Sequence, residues 1–330
     1  MRKAAMSFSI RGLIAACALV LSSGAMTHAH AQAQAFPARP MTVVIPLSPS
    51  TAFYIAMRQM ADQIQQKTGK AVVFDIAVGA GGTLSPQKIK RAEPDGYTIG
   101  LTYAAPLTVN PYVEKEPRYD PLKDFAYITM LTRHGILFVA GPKVPANNVQ
   151  ELIALAKAKP NGVKVAEGAT GSRIGLLALA EAAGVQFFDV PYKSSAEFDT
   201  ALLSGDVDVA LSTVGTELGQ IRGGRTKALF IGSRNRSPLL PNVQSVSEVY
   251  PNVEVISWYA LFAPAGTPSD RIDWLHREWT AALKDPKIVE RMQTVFGYEI
   301  VASTPQEVLD QIKRETPINS RIAKQYGIAE

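Results

Sequence analysis

Met41-Thr42-Val43-Val44-Ile45 is a short apolar run of the length and β-branched content of a buried strand, and what surrounds it decides the fold. Residues 52–66 follow with apolar side chains at Ile55, Met57, Met60, Ala61 and Ile64, the stripe of an amphipathic helix. Ala71-Val72-Val73-Phe74 and then Tyr97-Thr98-Ile99-Gly100-Leu101-Thr102-Tyr103 read as further strands. Strand, helix and strand at this spacing predict right-handed crossovers and a mainly parallel sheet flanked by helices.

Toward the C-terminus the pattern starts again past Leu137-Phe138-Val139. Asn148-Val149-Gln150-Glu151 resembles a capping box and opens a helix over 149–159. Strands at Val163-Lys164-Val165-Ala166 and Phe187-Phe188-Asp189-Val190 alternate with helices over 172–183 and 195–203, and strands over 207–211 and 228–231 close the series. The last helices carry start signals, Thr267-Pro268-Ser269-Asp270 and Thr304-Pro305-Gln306-Glu307, the second with proline at the first helical position. Two α/β series in 330 residues imply two lobes with a cleft between them.

Toward the N-terminus, Arg2, Lys3 and Arg11 precede the apolar run Leu13-Ile14-Ala15-Ala16-Cys17-Ala18-Leu19-Val20-Leu21, and Ala29-His30-Ala31 supplies a small-residue cleavage pattern. Residues 1–31 therefore read as a secretory signal peptide, the apolar run being far shorter than the roughly 20 residues of a membrane span. Ile14-Ala15-Ala16-Cys17 weakly resembles a lipoprotein box but follows Arg11 too closely. Loss of this segment leaves 31 basic against 29 acidic side chains, so the formal charge falls from +5 to +2 and the case for a nucleic-acid partner goes with it. It also removes Cys17, His28 and His30, leaving no cysteine and only His134 and His276. A disulfide scaffold and a Cys-based zinc site are excluded, and Gly 24 with Pro 22 excludes collagen-like or disordered composition.

Catalytic signatures are missing. There is no H-E-x-x-H, no G-x-S-x-G and no G-x-x-x-x-G-K-[ST], and Gly79-Ala80-Gly81-Gly82 lacks the third-glycine spacing of a dinucleotide fingerprint. No catalytic residue, metal or cofactor is expected.

Phe36-Pro37-Ala38-Arg39-Pro40, Gly79-Ala80-Gly81-Gly82, Glu93-Pro94-Asp95-Gly96-Tyr97-Thr98, Tyr119-Asp120-Pro121-Leu122-Lys123-Asp124-Phe125, Val190-Pro191-Tyr192-Lys193 and Leu261-Phe262-Ala263-Pro264-Ala265-Gly266-Thr267-Pro268 stand in a characteristic order. In that order the chain, over essentially all of its mature length, resembles the solute receptors of tripartite tricarboxylate transporters, the Bug or TctC family of periplasmic binding proteins. The resemblance implies a two-lobed, type II-like periplasmic binding protein fold, each lobe a mainly parallel sheet flanked by helices and joined by crossover strands. Lobe one is placed at 36–136 and 257–330, lobe two at 137–256. The implied function is capture of a small carboxylate by hinge closure and delivery to a membrane permease of the tripartite tricarboxylate type, with the receptor a monomer. A secreted hydrolase or isomerase on the same scaffold is the competing class. A transcription-regulator effector lobe would need a helix-turn-helix where the signal peptide stands.

The resemblance implies that two loops of lobe one hold a ligand carboxylate. Gly81, Gly82 and Thr83 match the second, where converging N–H groups form an anion nest. The first departs from the family's glycine run: it reads Ser50, Thr51, Ala52, Phe53, Tyr54, so hydroxyls are expected to supplement backbone donors, Tyr54 stands where amino-acid binders carry an acid, and Phe53 is expected to offer a ring face. Tyr103 ends the adjoining strand. Arg133 and His134 lie by the crossover, where a guanidinium is placed to clamp a second carboxylate. From lobe two, Thr170, Ser172 and Arg173 open a helix suited to an anion, with Tyr192 and Lys193 in the PYK stretch and Ser212-Thr213 at a strand end where the resemblance implies an acidic and amide pair, a replacement that suits an anion. Phe53, Tyr54 and Arg133 together favour an aromatic dicarboxylate such as terephthalate over aliphatic adipate or citrate.

Overall fold

In the computed structural model, which describes residues 36–49, 51–114, 116–192 and 195–328, the run Met41–Ile45 is β1, with Met41, Val43, Val44 and Ile45 at most 2% exposed. By compactness the chain falls into Met1–Ala38 and Arg39–Glu330. Of the first unit only residues 36–38 are described, and both sheets belong to the second. The expected leader lies outside the described residues.

From β1 the chain enters α1 (Ala52–Thr68), capped by the Thr51 hydroxyl, which accepts from Tyr54 N–H, and closed by Gly69 in the left-handed conformation. β2 (Val72–Ile76), a 3₁₀ turn at Ala80–Gly82, α2 (Leu84–Lys90), β3 (Thr98–Tyr103), α3 (Ala104–Thr108) and α4 (Asn110–Val113) follow. β4 (Phe125–Gly135) runs through Ile136 into β5 (Leu137–Ala140). Then come α5 (Val149–Ala158), β6 (Lys164–Glu167), α6 (Thr170–Ala183), β7 (Phe188–Pro191), α7 (Ser195–Ser204), β8 (Val209–Ser212), α8 (Val214–Arg222), β9 (Lys227–Ile231) and β10 (Gln244–Ser245). The chain ends in β11 (Ile256–Pro264), α9 (Ser269–Leu283), α10 (Pro286–Thr294), β12 (Glu299–Ile300) and α11 (Pro305–Gln325), whose capping box joins Thr304 and Glu307.

The first sheet has the order β12-β4-β11-β3-β1-β2 and the second β10-β9-β5-β8-β6-β7. β1 is parallel to β2 and β3, and β6 is parallel to β7 and β8, which is the crossover pattern expected of strand–helix–strand repeats. The antiparallel pairings belong mainly to the strands that carry the chain between sheets: β11 against β3 and β4, β5 against β8 and β9. β4 and β11 pass unnoticed in the sequence because Thr129, Thr132, Arg133 and His134 interrupt the apolar run of β4, and only their pairing with β11 makes them a strand.

Each sheet has its own core. Trp258, Phe262 and Phe125 fill one, with Phe125 edge-on to Phe262 at 4.9 Å, and Phe138 stacks on Phe230 at 4.1 Å in the other. Between them the two crossing segments bond to each other and to the residue after β9: Ile136 N–H to Val255 O, Gly232 N–H to Ile136 O and Val255 N–H to Gly232 O, each 2.8 Å. A separate apolar seam joins α3 and α4 to α6 and α11 through Ala105, Val109, Ile174, Ile322 and Ala323. Arg321 pairs with Glu181 at 3.0 Å beside it.

Candidate functional site

Parallel strands deliver their following loops to one edge of a sheet, and that edge is where open α/β folds receive ligands. Here the C-terminal ends of β2 and β3 and those of β6 and β7 converge on a single cleft of ≈ 240 Å³. Gly81, Tyr103 and Ala105 line it from the first sheet. Glu167, Gly168, Ala169, Thr170, Pro191 and Tyr192 line it from the second.

The turn after β2 is left-handed for four residues, with φ of 119°, 46°, 56° and 85° at Gly79, Ala80, Gly81 and Gly82. It closes on itself through Gly82 N–H to Gly79 O (2.9 Å) and Thr83 N–H to Ala80 O (3.0 Å). The N–H groups of Ala80 and Gly81 take no acceptor among the described residues. Asn110 fastens the turn by donating from Nδ2 to Gly81 O at 3.1 Å, and Thr83, 2% exposed, donates its hydroxyl to Ala80 O. Tyr103 lies against Gly82 so closely that a β-carbon there would come within 2.5 Å of its hydroxyl oxygen.

Across the cleft, α6 begins without a side-chain cap. Its first-turn N–H groups, at Thr170, Gly171 and Ser172, have no partner within the helix, as at every helix start, and the positive end of its dipole lies with them. Two sets of backbone donors, one from each sheet, therefore serve the same cleft, a suitable environment for carboxylate oxygens.

Other expected contacts are engaged elsewhere. Ser50 and Lys193 lie outside the described residues, as does the side chain of Ala52. The Thr51 hydroxyl caps α1 and donates to Ser48 O at 2.8 Å. Phe53 presents no free face: it is 3% exposed, its ring stacked on Tyr259 at 4.0 Å. Tyr54 packs edge-on against Phe74 at 5.2 Å. Both rings behave as first-turn helix residues do when their stripe faces a core. Arg133 forks onto Glu299, with Nη2 2.8 Å from Oε1 and Nε 3.2 Å from Oε2, and lines two wider grooves of ≈ 620 and ≈ 590 Å³ rather than the cleft. His134 is 8% exposed and stacked on Tyr298 at 4.3 Å, and burial holds its pKa down at about 4, so the ring is neutral. Arg173 pairs with Asp189 at 2.6 Å. Thr213 caps α8, its hydroxyl accepting from Thr216 N–H at 3.4 Å.

Acidic groups are nearer than the sequence suggested. Behind Ser212, whose hydroxyl donates to Glu217 Oε1 at 2.8 Å, Glu217 is wholly buried, and desolvation with Asp199 alongside raises its pKa to about 7. Glu167, the last residue of β6, lines the cleft itself and is 5% exposed. Its one signal was position, an acid at a strand end before a glycine loop. Asn110 had no signal at all. Among the described residues no group of three or more His, Cys, Asp or Glu is placed to hold a metal ion, and no helix is long and apolar enough to cross a membrane.

Residues 56–328 match the family described as Tripartite tricarboxylate transporter family receptor. Among curated relatives, the UPF0065 protein of the gbd 5′ region of Cupriavidus necator is 33% identical, covering 98% of each chain. Protein BugT of Bordetella pertussis is 31% identical over 86% of this chain and 89% of its own. The solved structure of the periplasmic binding protein BugD superposes with a TM-score of 0.73 at 30% identity, covering 89% of this chain and 99% of that one. The chain thus belongs to the tripartite tricarboxylate transporter receptors, the Bug and TctC family of periplasmic binding proteins.

Proposed function

We propose that the protein captures a small organic carboxylate in this cleft and presents it to a membrane permease of the tripartite tricarboxylate type. The observation that carries the reading is that the glycine turn of the first sheet, at Gly81, and the uncapped start of α6 in the second, at Thr170, bring unpaired backbone N–H groups to one cleft with no lysine or arginine among its described lining residues. An oxyanion bridging the two sets is bound better when they approach each other. Ligand then biases the receptor toward a closed form by as much as its affinity for that form exceeds its affinity for the open one. In this reading the lobes are 36–136 with 257–330 and 137–256, the crossing segments at Ile136 and Val255 are the hinge, the leader over 1–31 directs export, and a monomer acts without a cofactor.

An aromatic guest loses the residues that argued for it, since Phe53 is stacked within the protein and Arg133 is held by Glu299. We therefore favour an aliphatic acid, mono-, di- or tricarboxylic. A thermal-shift panel of adipate, citrate, malate, terephthalate and glucose tests this. Aliphatic acids should raise Tm by about 5 °C at roughly 100 times Kd. Stabilisation by terephthalate alone would restore the aromatic reading, and a shift with glucose but no acid would remove the carboxylate reading. Recovery of the acid unchanged after overnight incubation separates a receptor from an enzyme.

A further inference from the structure

We infer that Glu167 accepts a hydrogen bond from a donor group on the body of the captured acid, so that the ligand is a carboxylate bearing a hydroxyl or an ammonium group rather than an unsubstituted acid. The inference rests on the receptor reading of the cleft given above.

Glu167 is the single carboxyl among the cleft's described lining residues, and it is almost wholly withdrawn from solvent. One of its oxygens, Oε2, accepts from Ala169 N–H at 3.0 Å. Oε1 accepts nothing from a described residue, and because the carboxyl lines the cleft this oxygen is left for a donor that enters there. The nearest charges do not supply one: Arg173 is committed to Asp189 at 2.6 Å, and that pair cancels. An ionised Glu167 therefore leaves one surplus negative charge beside the donors that would receive an anion. Two carboxylates sharing a poorly solvated site repel unless a proton donor stands between them. Burial raises the Glu167 pKa, in keeping with a site that lacks its counter-group. A ligand with its carboxylate on the Ala80–Gly81 turn or on the start of α6 and a hydroxyl or ammonium directed at Glu167 satisfies both ends. A plain acid satisfies one and leaves the other opposed.

The test uses matched acids differing at one carbon: succinate, malate and aspartate, then glutarate, 2-hydroxyglutarate and glutamate. Each is titrated calorimetrically into the wild-type protein and into the Glu167→Ala and Glu167→Gln variants, with melting curves to confirm that the variants fold. Within a set, the hydroxy or amino acid should bind about 10- to 100-fold tighter than its parent, and Glu167→Ala should erase that preference. Glu167→Gln distinguishes the two donors, because an amide oxygen still accepts from a hydroxyl but no longer neutralises an ammonium. Equal affinity for parent and substituted acids, or a preference that survives Glu167→Ala, overturns the inference while leaving the receptor reading intact. Failure of every acid to bind a cooperatively folded wild-type protein removes both.

Discussion

A β-carbon at Gly82 would sit 2.5 Å from the Tyr103 hydroxyl oxygen on a backbone with φ +85°, so this position is demanding in both space and conformation. Gly82→Ala should cost about 1–3 kcal/mol of stability and weaken ligand binding, since either the turn or Tyr103 must leave its place. Denaturant unfolding and calorimetry measure the two effects. Phe53 makes the opposite kind of prediction. Its ring is buried against Tyr259, so Phe53→Ala should destabilise by about 3–5 kcal/mol while leaving the ranking of aromatic against aliphatic acids unchanged. Arg133→Ala, which removes a half-exposed pair with Glu299, should change stability by about 0–1 kcal/mol and binding not at all. These residues show how far a side chain's role can be read before the fold is known. The glycine turn was legible because left-handed backbone demands glycine. The occupation of Phe53 and Arg133 was not, because Tyr259 and Glu299 lie more than 160 positions away.

At the scale of elements, α8 shows a buried acid held in place by its neighbours. Thr213 caps the helix, and one turn in, Glu217 accepts from Ser212 and faces Asp199 of α7. Burial raises the folded-state pKa of Glu217 above its ordinary value, toward about 7. An acid shifted upward is most compatible with the fold while protonated, so its contribution is fully present below the ordinary carboxylate range and is lost as pH rises toward about 7. His134 works in the other sense, losing stability as pH falls toward about 4. The difference in Tm between Glu217→Gln and wild type isolates the first effect, because His134 is common to both. That difference should grow in favour of the variant between about pH 5 and pH 8, and thermal melts at several pH values would show it. A pH-independent difference would mean that the carboxyl does not titrate in this range. Element existence was largely readable here. The exceptions are β4 and β11, strands whose identity comes from pairing rather than from their own periodicity, together with the two-residue strands β10 and β12 and the short helices α2, α3, α4, α8 and α10, which span too few turns to show a stripe.

For the molecule as a whole, the segments that cross between the sheets are tightly tied. Gly135 lies under Ser233, where a β-carbon would meet its backbone nitrogen at 2.6 Å, and Ile136, Gly232 and Val255 are bonded to one another. Ligand should slow hydrogen exchange in the glycine turn at Gly81 and at the start of α6 at Thr170 far more than at the already protected Ile136, Gly232 and Val255, a contrast that exchange mass spectrometry resolves. The α/β class, the two series of strands and helices and the family were determined by the sequence alone, because hydrophobic period, capping residues and left-handed glycines act over a few neighbouring positions. Which rings are free to meet a guest, which guanidinium is already paired, and that Glu167 stands in the cleft were decided only by the tertiary structure. Those facts depend on what long-range packing brings alongside each group, and on how much water it leaves there.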